Sequence, residues 1–128
     1  MGYRQVVLTL PEQLCILFHN HSNQKPLYSG FVILAKACLS KLIQAHFKSD
    51  ACEIAAIIFI HTHSCNGNYN PHLHVILAEG AFFPSNQDWK WFQYLSLSQL
   101  RLFWQKHLLK LMEIEFPARQ YVINLSCA

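Results

Sequence analysis

No two cysteines in this chain form a C-x-x-C pair, and the five present (Cys15, Cys38, Cys52, Cys65, Cys127) are odd in number and scattered. That pattern excludes a zinc knuckle and offers no disulfide framework, so the cysteines read mostly as small buried hydrophobes. Charge is scarce as well. Only 13% of the residues are Asp, Glu, Lys or Arg, and a net charge of +3 permits nucleic-acid binding without arguing for it. No segment is of low complexity, no repeat recurs, and no apolar run approaches the ~20 residues of a bilayer span. The amino terminus, Met1-Gly2-Tyr3-Arg4-Gln5, leads into apolar residues without signal-peptide architecture. Val6 stands where a myristoylation motif wants Ser or Thr. The expectation is a cytoplasmic chain with no membrane partner.

Apolar residues and histidine are what the chain has in quantity. Hydrophobic residues make up 52% of 128 positions, enough to build the core of one domain. There are eight histidines, and His61, His63, His72 and His74 fall in one short stretch.

Hydrophobic periodicity divides the chain into elements. Tyr3–Leu10 reads as a strand, in which Thr9 either faces a site or bonds its own backbone. Pro11 opens a short helix over Glu12–Phe18, and His19–Asn23 is a polar turn. A helix is expected over Leu27–Phe47, with a stripe of Tyr28, Phe31, Ala35, Cys38, Leu39 and Leu42 and with Lys36, Lys41 and Lys48 outward. Glu53–Thr62 is nearly all apolar and is expected to be a central strand. After the turn-rich Ser64–Pro71 comes a strand over His72–Leu77, ended by Glu79-Gly80. Phe82-Phe83-Pro84 and Asp88–Phe92 flank a second hairpin turn at Ser85-Asn86-Gln87. Its tryptophans are expected in the core, with base stacking as the other reading. Ser96-x-x-Gln99 has the form of a capping box and starts a helix to about Glu115, with Leu97, Leu100, Trp104, Leu108 and Leu111 buried. Pro117 ends that helix.

The chemistry gathers at Asn70-Pro71-His72-Leu73-His74. Side chains alternate along a strand, so His72 and His74 share a face. Two neutral imidazoles so placed can share one metal ion. An antiparallel hairpin brings His61 or His63 beside them, with opposite Cβ atoms ~5 Å apart. His61 is in register with Ile57 and Phe59 and is the preferred third ligand. Two histidines on the solvent side of a strand is the plain alternative.

Val7-Leu8-Thr9-Leu10-Pro11, then His61-Thr62, then Asn70-Pro71-His72-Leu73-His74, followed by Glu79-Gly80, Trp89 and the helix around Leu100–Trp104, form an ordered set. In order and spacing, over about Tyr3 to Leu111, this set resembles the HUH endonuclease domain of rolling-circle transposases, specifically the two-tyrosine family of bacterial insertion sequences. The resemblance implies an α+β fold, an antiparallel β-sheet with helices packed on it (HUH endonuclease or RRM-like), incomplete here. It also implies a divalent metal, Mg²⁺ or Mn²⁺, held by the paired histidines and polarising a scissile phosphate of single-stranded DNA at insertion-sequence ends. In that family a downstream tyrosine attacks the phosphorus and stores the bond energy covalently.

The chain departs from the pattern at the nucleophile. Its tyrosines are Tyr3, Tyr28, Tyr69, Tyr94 and Tyr121, and no two stand four apart. Tyr121 alone lies far enough downstream to be a candidate, in the strand-like Gln120-Tyr121-Val122-Ile123. The family's cysteine-rich segment before the first strand is also absent. The expectation is a partial transposase domain over residues 1–117 and a tail of unclear structure over 118–128, with DNA cleavage in the family but not by this chain alone. Two other readings stand beside it. One is a non-catalytic single-stranded DNA binder that interferes with or complements full-length transposase copies. The other is a small hydrolytic metalloprotein using His61, His72 and His74, for which Glu79 is the nearest acid.

Overall fold

The fold is built around one long strand. In the computed structural model, which describes residues 2–10, 15, 24–63, 67 and 69–115, the elements run β1 (Tyr3–Thr9), α1 (Gln24–Phe47), β2 (Glu53–His63), β3 (Tyr69–Phe83), β4 (Asp88–Trp91) and α2 (Leu97–Glu115). All three other strands pair with β3, and all pair antiparallel. β2 follows one edge of β3 along its length, while β1 and then β4 share the other edge. The architecture is α+β, a four-stranded antiparallel sheet with two helices.

Alternation along β3 separates the two faces of the sheet. Leu73, Val75 and Leu77 are fully buried, and Ala81 and Phe83 continue the same side. Against that side pack Leu27, Phe31, Ala35, Cys38, Leu39, Leu42 and Ile43 of α1, with Leu100, Trp104, Leu108 and Met112 of α2. Burying such side chains is worth about 1.5–3 kcal/mol each, so one continuous core sits between helices and sheet. Trp104 joins the layers twice: its ring lies 5.2 Å from that of Phe31, and its indole N–H donates to the Thr9 carbonyl at 3.0 Å. Ser96 caps α2, its Oγ accepting the Gln99 amide proton at 3.2 Å.

Several expectations are corrected. β2 is not central: it borders β3 alone among the described strands. Its apolar composition arises because both of its faces are apolar, and Ile57 and Phe59 are exposed on the side away from the helices. β3 does not end at Glu79-Gly80 but runs on to Phe83, because Gly80 lets Trp89 and the Lys90 carbonyl approach the backbone. A Cβ there would lie 2.5 Å from Trp89 Nε1 and 2.6 Å from that oxygen. β3 also begins earlier than His72, at Tyr69. Leu97 is exposed at the first turn of α2, where no other described element covers it, and Leu27 replaces Tyr28 in the buried stripe of α1. Of the tryptophans only Trp104 is core; Trp89 is half-buried and Trp91 exposed. Lys25–Phe47 is, by length and composition alone, long and apolar enough to cross a membrane, against the expectation that nothing approaches that length. One face of this helix is in the core, which accounts for much of the composition. The helix expected over Glu12–Phe18 (Cys15 apart), the turn at His19–Asn23, Pro117 and the tail from 118 lie outside the described residues.

Candidate metal centre

His61, His72 and His74 come together on the sheet face turned away from the helices. His61 stands directly opposite His72 across the β2–β3 ladder, and Phe59 opposite His74. On the other side of β3, Thr9 is opposite His72 and Val7 opposite His74. One ring nitrogen from each histidine lies within 4.8 Å of the others. Ring centroids are 5.2 Å apart for His61–His72, 4.4 Å for His61–His74 and 4.8 Å for His72–His74. Among the described residues this is the group of His, Cys, Asp or Glu side chains so placed that it could hold a metal ion.

His63 is excluded from the cluster by a register shift. His61 pairs with His72 but His63 pairs with Tyr69, so β3 carries one residue more than β2 across this interval. A bulge of this kind turns the following side chain to the other face. Pro71, which has no N–H to give a ladder, lies within it. His63 therefore stacks beside Tyr69 at 5.6 Å, and its Nδ1 bonds the Thr62 hydroxyl at 2.9 Å.

The same irregularity orients His72. The Asn70 carbonyl accepts a hydrogen bond from His72 Nδ1 at 2.8 Å. A carbonyl only accepts, so Nδ1 carries the proton and Nε2 keeps its lone pair for a ligand. His74 is held below the ordinary histidine range, first by burial and then by the neighbouring His61 and His72. It is therefore neutral near pH 7, the state a metal needs. Three convergent imidazoles suit a borderline divalent ion better than a hard one that prefers oxygen.

The described tyrosines stand elsewhere. Tyr69 belongs to the core-side register of β3 and shares a hydroxyl–hydroxyl hydrogen bond with Tyr28 of α1. Burial and that bond push the Tyr69 phenol well above its usual range, which disfavours the nucleophilic phenolate. Tyr3 is opposite Ala78, far along β3 from His72. Tyr94 lies beyond β4, and Tyr121 lies outside the described residues. Sequence reasoning assigned no role to the Asn70 carbonyl. The signal for it was the proline immediately before His72, which marks an irregular strand. Thr9 was seen only as ambiguous, and its position opposite His72 resolves it to the triad face.

The family described as "Putative transposase" matches residues 55–118. A curated relative, "Putative transposase y4qJ" of Sinorhizobium fredii (strain NBRC 101917 / NGR234), is 31% identical over 87 residues, which is 68% of this chain and 21% of the relative. The chain thus spans about a fifth of that protein. No solved structure gives a significant match.

Proposed function

This chain belongs to the family of putative transposases, and from that premise we propose that it is the metal-binding portion of a rolling-circle transposase of the HUH type. The observation that carries the proposal is the convergence of His61, His72 and His74 on one open sheet face. A divalent ion, Mg²⁺ or Mn²⁺, held there would supply Lewis-acid polarisation of a scissile phosphate in single-stranded DNA; a hard ion such as Mg²⁺ would need phosphate oxygens and water to complete its shell beside the imidazoles. His72, fixed by Asn70, presents Nε2; His74 stays neutral; His61 closes the triad from the facing strand. Thr9 lies beside them on the same face. In this reading the metal cradle is present and the chain alone does not cleave. A second reading, a non-catalytic single-stranded DNA binder, is favoured by one feature: no described tyrosine is placed at the triad.

The test is a nicking assay on labelled single-stranded DNA with Mn²⁺, comparing wild type, His72→Ala/His74→Ala and Tyr121→Phe, together with Mn²⁺ titration. Expected are no covalent protein–DNA adduct and Mn²⁺ binding that is lost in the double histidine variant. An adduct abolished both by the histidine changes and by Tyr121→Phe would make the chain a minimal enzyme instead. Mn²⁺ binding that ignores the histidines would remove the proposal.

A further inference from the structure

Strand β2 is apolar on both faces and fully covered on neither. Its eleven residues, Glu53–His63, are all exposed or half-buried, whereas β3 beside it buries Leu73, Val75 and Leu77 completely. On the open side of the sheet Ile57 is 56% exposed and Phe59 47%. On the helix side Ile60 lines an apolar groove of about 420 Å³ with Tyr28, Ser29, Val32 and Ile33 of α1, and Ile33 is 66% exposed. The outer edge of β2 has no partner strand among the described residues. Its backbone there presents a row of N–H and C=O groups beside apolar surface.

An edge strand is ordinarily guarded against pairing by lysine, proline, a bulge or shortness. The opposite edge of this sheet has such guards. It is divided between the seven residues of β1 and the four of β4, strands that carry Arg4, Asp88 and Lys90. β2 has none of them. From Glu53 to His63 there is no Lys, Arg, Pro or Gly. Both register shifts of the β2–β3 ladder leave the extra residues on β3. Ile54 to Ala56 is two steps against four from Ala81 to Leu77, and His61 to His63 is two against three from His72 to Tyr69. No inserted residue therefore interrupts the edge of β2.

We propose that this edge pairs antiparallel with β2 of a second copy of the chain, joining two four-stranded sheets into one across a two-fold axis. A second copy is the occupant because the edge is complementary to itself. With Ile58 opposite its own equivalent on the axis, every residue from Glu53 to His63 gains a partner, the longest ladder this strand can form with itself. Opposite residues share a face. Ile57 of each copy then meets the partner's Phe59 on the open side, an aromatic on a β-branched chain, which is a favoured cross-strand pair. On the helix side Ile60 meets the partner's Ala56, and the two Ile58 side chains meet each other. The one acidic residue of the edge, Glu53, comes to the His63 end of the partner strand, whereas a parallel pairing in register would set Glu53 against Glu53. The axis stands perpendicular to the sheet, so both helical layers lie on one side of the joined sheet and both histidine triads on the other. The two His61 residues are then about 20 Å apart along the strands. None of this depends on a metal or on DNA.

The experiment is sedimentation equilibrium of the whole chain over a dilution series, with hydrogen exchange of the β2 amides followed at both ends of the series. Wild type is expected to populate a dimer, and exchange in β2 is expected to slow as concentration rises. Ile57→Lys charges a side chain that is already exposed and sets like charges diagonally across the axis. It should weaken the dimer about tenfold or more and leave far-UV circular dichroism unchanged, and Phe59→Glu should do the same. Mixing these two variants puts the introduced cation opposite the introduced anion and should restore the dimer. Leu102→Ala, on exposed α2 surface, should leave the dimer intact. A wild type that stays monomeric throughout would overturn the proposal, as would a dimer that survives Ile57→Lys or one that Leu102→Ala dissolves. A mixture that stays monomeric would overturn the register and the pairing with it. Slow exchange in β2 that ignores concentration would also overturn it, by assigning the edge to residues of the same chain outside the described ones. Should Ile57→Lys fail to fold, the concentration dependence of exchange in wild type decides.

Discussion

At the scale of single residues, the decisive group is His74. Its proton affinity is lowered by burial and by His61 and His72, so the folded chain binds fewer protons there than the unfolded one. The stabilisation is present above the ordinary histidine range near pH ~6.5 and is lost as pH falls below it. Urea unfolding followed from pH 8 to pH 5 should therefore show falling stability, and His74→Ala should flatten that part of the profile. The cysteines follow the opposite sign. Cys38 is pushed up to about 12 by burial, with Lys41 opposing, so it contributes a loss only in alkali, above the usual thiol range. Cys15, Cys38 and Cys52 are buried, as their scatter in the sequence suggested. Cys65 and Cys127 lie outside the described residues.

Elements behave according to what their neighbours allow. β3 is long because Gly80 admits the Trp89 ring where any side chain would collide. Gly80→Ala should destabilise the domain by about 2–4 kcal/mol, the range of overpacking with backbone strain, and should change tryptophan fluorescence as Trp89 is displaced; guanidinium melts read the first effect. Helix α1 was legible from its 3.6-residue stripe, and α2 from that stripe plus the Ser96 cap. Strand β2 was legible as a strand but not as an edge. Composition reports how apolar a strand is and not which of its faces is covered.

For the whole molecule, the joint between helical layer and sheet is the quantity that counts. Trp104 donates to a carbonyl 95 residues away in sequence and stacks on Phe31. Trp104→Phe keeps most of the packing and leaves the Thr9 carbonyl without that donor, so a loss of about 1–3 kcal/mol is expected. Because Thr9 is opposite His72, Mn²⁺ affinity measured on the same variant should fall as well if the joint holds the site. An unchanged affinity would show that β1 positions nothing at the triad.

Local chemistry made much of this protein readable from its residues. Alternation placed His72 and His74 on one face, the hairpin signals brought a third histidine to them, and the order of motifs pointed to the transposase family. Those properties depend on neighbours within a few residues. Tertiary structure alone decided the rest. The bulge at Asn70-Pro71 turned His63 away from the His61 that strand register already favoured and fixed the His72 tautomer, because one unpaired residue changes every side chain beyond it. The open face, with Trp91 solvent-exposed on it, exists because both helices pack on the opposite side of the sheet. No window of sequence records which of two apolar faces the helices will cover.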